Sequence, residues 1–129
     1  MNKVSGNFMK AGLMYVAFGM FLGIGMAASH NHRMMPVHAH LNLVGWASMA
    51  IFALFYQVVP KAASTGLAKV HFWIANIGLL IMAPSIALIL SGVPEGEIGA
   101  IAGSLITLGS FLLFIFIVFK TTTLATQEN

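Results

Sequence analysis

Cysteine is absent from this chain of 129 residues, which excludes disulfides and thiolate metal ligands. Charge is nearly as scarce, at 7% of residues against 59% hydrophobic ones. Four stretches, 11–29, 37–59, 70–91 and 98–119, contain no Lys, Arg, Asp or Glu at all. Each reaches the roughly 20 residues that an α-helix needs to cross a bilayer. The composition therefore leaves almost nothing for a soluble domain. It predicts an all-α integral membrane protein that forms one four-helix domain over residues 1–129.

The few charges that exist are unevenly placed. Lys3 and Lys10 precede the first stretch, Lys61 and Lys69 flank the second loop, and Lys120 follows the fourth. The opposite side carries Arg33, with Glu95 and Glu97 in the third loop. This bias predicts cytoplasmic termini and a first loop facing outward, in a multi-pass protein of the inner (cytoplasmic) membrane. The net charge of +3 is thus a matter of orientation in the lipid bilayer and does not point to nucleic acid. The first stretch is too long for a signal-peptide core and is read as a retained span.

The connections SHNHRMMP, PKAASTGLAK and GVPEGE are short, which makes neighbouring spans antiparallel in an up-down bundle. Pro36 suits the start of the second span and Pro60 its end, whereas Pro84 falls inside the third, where a kink is expected. Gly12, Gly19 and Gly23 on the first span, with Gly99 and Gly103 on the fourth, have the spacing that lets helices approach closely in lipid.

Against this background the histidines stand out. His38 and His40 lie at the mouth of the second span, where ionisable groups are costly and usually mark a site. On a helix, positions i and i+2 are turned by about 200°, so the two rings face nearly opposite ways. Such a pair is poorly placed to grip one small ion but well placed to meet two planar ligands, one on each flank. That geometry suits heme, held non-covalently because no Cys-x-x-Cys-His motif exists. Asn42 lies one turn below His38 and is placed to order it, and Arg33 stands where heme propionates would emerge. His30 and His32, with Met34 and Met35, form a mixed imidazole and thioether set that suits copper. His71 opens the third span at the far side, too distant to reach the same iron. A structural or interfacial role beside the belt residue Trp73 is expected for it. Asn76, inside the third span, is expected to bond across helices.

The stretch VHAHLNLVGWASMAIFALFYQVVPK resembles the tenth helix of the catalytic subunit of C-type (cbb-type) heme–copper oxidases. The shared pattern is His-x-His, Gly-Trp beginning at Gly45, then a Tyr and a Pro at the far end followed by a base. VHFWIANIG is similar to the helix that follows, and the four spans match the last four helices of that subunit in count. The resemblance covers about half the chain directly and implies heme b. It places a high-spin heme on His38 and a low-spin heme on His40. The family's copper ligands and redox tyrosine lie outside the matched helices, so the chain resembles an oxidoreductase without a recognisable copper site. Electron transfer through bis-histidine heme is the function this implies; oxygen or nitric oxide chemistry and copper handling are the rival readings. Because that subunit consists of three pseudo-equivalent groups of four helices, the resemblance also implies a homo-oligomer. A trimer is favoured over a dimer, with His38 of one subunit and His40 of the next bridging each heme. The redox partner is left unnamed.

Overall fold

The computed structural model describes residues 1–127, with side chains described through 122. Four long apolar helices fold on one another: α1 (Lys3–Ser29), α2 (Met35–Val58), α3 (Gly66–Leu90) and α4 (Gly96–Gln127). No strand occurs among the described residues. The chain is an all-α, multi-pass membrane four-helix bundle, as its composition implies.

Each helix extends past the charge-free stretch that announces it. Lys3 and Lys10 lie on the first turns of α1 rather than before it, both exposed. Asn2 sets that start, because its side chain accepts from Ser5 N at 2.9 Å and donates to the Tyr56 carbonyl at 2.7 Å. Lys120 likewise belongs to α4, with Nζ 5.9 Å from the centre of the Phe116 ring.

The loops are made by specific residues. Pro60 begins one turn of helix, Pro60–Ala63, and Thr65 then caps α3 by accepting from Ala68 N at 3.3 Å. α3 runs through Pro84 and closes on Gly92, whose φ of 87° admits two backbone bonds of 3.0 Å, Gly92 N to Ile89 O and Val93 N to Leu88 O.

In lipid no hydrophobic force drives one helix against another, so close packing and hydrogen bonds must hold the bundle together. Two hairpins result. In the first, α1 lays Gly12 against Trp46 and Met49, Gly19 against Asn42, and Gly23 against His38. In the second, Gly78 meets Thr107 and Gly103 meets the backbone of Met82. The glycine spacing thus packs helices within this chain. The hairpins join over an aromatic layer drawn from all four helices: Phe8, Phe52, Tyr56, Phe72, Phe111 and Phe114 surround or adjoin His71. Phe52 is central, with ring centres at 4.5 Å from Phe114 and 5.5 Å from Phe8. Large apolar side chains such as Phe18, Phe21, Ile101, Leu105 and Leu112 remain outside, where lipid tails solvate them.

One feature departs from the expected pattern. Residues Leu41–Ala47, directly after His40, are π-helical, so α2 takes one extra residue per turn there. The apolar pattern of this stretch gives no hint of the change.

The second hairpin supplies a test. A methyl group at Gly103 would fall 2.6 Å from Met82 N, whereas one at Gly109 meets nothing within 4 Å. Gly103→Ala should destabilise the bundle by about 1–3 kcal/mol and Gly109→Ala should not. Thermal unfolding in detergent, followed by circular dichroism, compares the two; equal melting would contradict close α3–α4 packing.

Candidate functional site

The histidine-bearing end of the bundle is built by the turn between α1 and α2. α1 ends at Ser29, whose hydroxyl donates to the Gly25 carbonyl at 2.8 Å. His30 then adopts a left-handed conformation, φ 52°, and its N–H returns to the Ala27 carbonyl at 3.4 Å. Asn31 turns the chain again by accepting from Arg33 N at 3.0 Å. His30, His32 and Arg33 are exposed on this turn, Met35 is exposed and Met34 half-buried. Backbone conformation accounts for His30 and Asn31. Among the described residues no three His, Cys, Asp or Glu side chains converge on a point that would hold a metal ion.

The next two histidines are anchored far more closely. Pro36 lies in the first turn of α2, where its missing N–H costs no helical bond. His40, four residues on, places Nδ1 2.7 Å from the Pro36 carbonyl. A carbonyl only accepts, so Nδ1 carries the proton and Nε2 keeps its lone pair. The contact lies in an exposed position, and Nε2 makes no hydrogen bond among the described residues.

His38 follows the same logic with a different neighbour. Its Nδ1 lies 2.8 Å from the carbonyl of Gly19, across on α1. The ring fits there because α1 has no side chain at Gly23, where a methyl group would fall 2.9 Å from Cε1. Again Nδ1 is the donor and Nε2 the acceptor. Asn42 Nδ2 lies over the face of this ring, 3.0 Å from Nε2 and 3.4 Å from Nδ1. The Oδ1 of the same amide is buried and has no hydrogen-bond partner. Asn42 thus reaches along its own helix, while Asn76 bonds across helices, accepting from Tyr15 OH at 2.8 Å.

The two imidazoles are both half-buried but differently anchored, His38 on α1 and His40 on its own helix. Both share the arrangement usual in metal-bound histidine, a backbone carbonyl fixing one nitrogen and a lone pair on the other. A donor set of two oriented Nε2 atoms fits heme iron. The carbonyls of Pro36 and Gly19 are the parts of the site that sequence reading overlooked. The first was in principle legible, four residues before His40 on one helix. The second depended on knowing which face of α1 meets α2.

The opposite end holds a second polar pair. Tyr56 OH and His71 Nδ1 lie 2.9 Å apart, both side chains fully buried. His71 sits among Phe8, Phe52 and Phe114, stacked on the last at 5.3 Å, and its Nε2 has no hydrogen-bond partner. It is a core residue and not an interfacial one; its neighbour Trp73, 63% exposed, is the one that faces outward. The aromatic layer draws the ring inward because Tyr56 satisfies its polar atom there.

This is the architecture of a multi-pass helical membrane protein. In sequence the chain is similar to the Cbb3-type cytochrome c oxidase subunit CcoN1 of Stutzerimonas stutzeri, 32% identical over 76 residues. That match takes in 54% of this chain but only 16% of that subunit. No protein-family model matches the chain, and no solved structure matches it.

The buried pair yields a prediction. Tyr56→Phe removes the hydroxyl and leaves His71 Nδ1 as a second unpaired atom in the aromatic layer. We expect a loss of about 1–3 kcal/mol in stability. Guanidine or thermal unfolding measures this, and an unchanged midpoint would mean the hydroxyl contributes nothing there.

Proposed function

We propose that the chain is a heme-b-binding membrane protein related to heme–copper oxidases, which transfers electrons through iron held by His38 and His40 at subunit interfaces. The observation that carries this reading is the paired anchoring of the imidazoles, Nδ1 to a carbonyl with the Nε2 lone pair left for a metal. A neutral imidazole fixed in this way is a ready axial ligand. Heme bound here supplies a one-electron couple at iron.

The protein's part is to hold the ligands and set their surroundings. Gly19 and Pro36 fix ring orientation and tautomer through their carbonyls. Arg33, on the exposed turn beside the pair, offers a guanidinium to a carboxylate such as a propionate. Gly23 keeps His38 packed on α1, so the ring turns little when its ligand changes oxidation state. The unlike settings of the two rings support a ligand pair shared between copies of this chain, with closed three-fold symmetry our preferred arrangement. Lysine placement supports an inner-membrane protein with cytoplasmic termini and the histidine end outside.

A second reading has one observation in its favour. The anchor of His40 lies on its own helix and needs no neighbouring helix, so iron held by His40 alone would leave room for oxygen or nitric oxide. Copper at His30 and His32 would extend that chemistry, though these side chains lie apart on an exposed turn.

Absorption spectra of the purified protein decide between them. We expect a Soret band, heme b by pyridine hemochromogen, and no shift when carbon monoxide is added to the reduced protein. A large shift would favour the gas-binding reading. His38→Ala and His40→Ala should each abolish the six-coordinate spectrum. A pale protein that takes up no hemin on reconstitution would overturn heme binding altogether.

A further inference from the structure

We infer that the cavity between the starts of α1 and α3 binds an anionic phospholipid, its phosphate held by Lys3 and Lys69 and its chains lying past Trp73. The site is at the end of the bundle opposite the histidine pair and does not depend on heme.

The cavity, about 480 Å³, forms where three segments meet. α1 contributes Lys3, Val4 and Asn7 from its first two turns. The turn after Pro60 contributes Ala63 and Ser64, and α3 contributes Lys69, Phe72 and Trp73. Its size falls within the range of ordinary small-ligand sites. The rim is cationic: both lysines are exposed, and no acidic side chain lines the cavity to pair with them. Glu95 and Glu97 stand beyond the far end of α3. Asn7 adds a half-buried amide to the same cavity. α1 and α3 both begin at this end, and helix N-termini carry partial positive charge that favours an anion. Two ammonium groups, an amide and no carboxylate complement a phosphate-type anion.

The remaining wall favours an amphiphile over a free anion. Val4, Ala63, Phe72 and Trp73 are apolar, with the Phe72 and Trp73 rings edge to face at 5.5 Å. Trp73 is 63% exposed, and Ile77 and Leu80, on the same face of α3, are exposed below it. This stripe leads from the cationic rim down into the hydrocarbon. Tryptophan settles at the level of the lipid headgroups, so the rim lies at the depth of lipid phosphates. A free anion would use the rim alone, whereas a phospholipid uses rim and stripe together. Lys10, exposed two turns beyond Lys3 on α1, does not line the cavity.

Native mass spectrometry of the full-length protein, released from detergent containing equimolar phosphatidylglycerol and phosphatidylcholine, tests the site. We expect phosphatidylglycerol to be retained about threefold to tenfold over phosphatidylcholine, as lysines at a membrane surface attract anionic lipid. Lys3→Gln combined with Lys69→Gln should bring that ratio close to one, and Lys10→Gln should leave it unchanged. Trp73→Ala, which keeps both charges, should also lower retention of phosphatidylglycerol. Melting followed by circular dichroism gives a second reading in solution. Phosphatidylglycerol should raise the midpoint of the wild type and of Lys10→Gln, but not that of the double variant. Equal retention of the two lipids by the wild type, or an undiminished preference in the double variant, would overturn the proposal. Inorganic phosphate in excess distinguishes the other source. Should it displace the lipid, with Trp73→Ala without effect, the occupant is a free anion and the lipid assignment fails. None of these results bears on His38 or His40.

Discussion

The hydrogen bond from His38 on α2 to the carbonyl of Gly19 on α1 is the contact on which the histidine end depends. A carbonyl inside a helix already accepts from the backbone, and a second donor reaches it only if another helix comes very near. Glycine permits that approach at Gly19 and Gly23, where side chains would strike Asn42 and His38. The same packing that holds two helices together in lipid therefore orients an imidazole. In a soluble protein a water molecule would compete for this role; in hydrocarbon it would not. Structural economy and site geometry are here one requirement.

The same requirement organises the other polar groups. Tyr15 finds Asn76, Tyr56 finds His71, and Ser5 donates to the Ala53 carbonyl at 2.7 Å. Each contact joins two helices, as expected where an unpaired polar atom has no solvent to turn to. The exceptions are informative. His71 Nε2 and Asn42 Oδ1 are both buried without hydrogen-bond partners, yet their surroundings differ. His71 is enclosed by aromatic rings, whose electron-rich faces soften an N–H without accepting it fully. Asn42 Oδ1 instead faces the bare backbone at Gly19.

How far the sequence carries this account can be argued residue by residue. Four charge-free stretches determined the number of helices, because the cost of burying a charge in lipid leaves little freedom. The boundaries were less legible, since Lys3, Lys10 and Lys120 are tolerated on helix ends that protrude from hydrocarbon. The opposed directions of His38 and His40 follow from helical rotation alone, and both remain in regular α-helix before the π segment starts. What could not be read was the identity of their partners. Gly19 looked like general packing because spacing reveals which residues share a face but not which helix meets it. For His71 the sequence left a structural and an interfacial role open for the same reason: its position near the end of a span is a one-dimensional fact, and its burial comes from four helices converging. The π segment has no apolar signature of its own, as one extra residue per turn only shifts a pattern that is hydrophobic throughout.

Two histidines two positions apart thus acquire different characters from one local difference. The helix that bears them is nearly symmetric in chemistry about the pair, and each ring is fixed by a carbonyl at similar distance. What separates them is the reach of that carbonyl. The anchor of His40 comes from its own helix and asks nothing of the rest of the fold, so the ring is oriented as soon as α2 forms. The anchor of His38 comes from α1, so its orientation exists only when the hairpin has closed. Any ligand that needs both nitrogens at once therefore senses the assembled bundle through His38 and the bare helix through His40. Capture of a ligand held by both rings would in that way be coupled to completed folding.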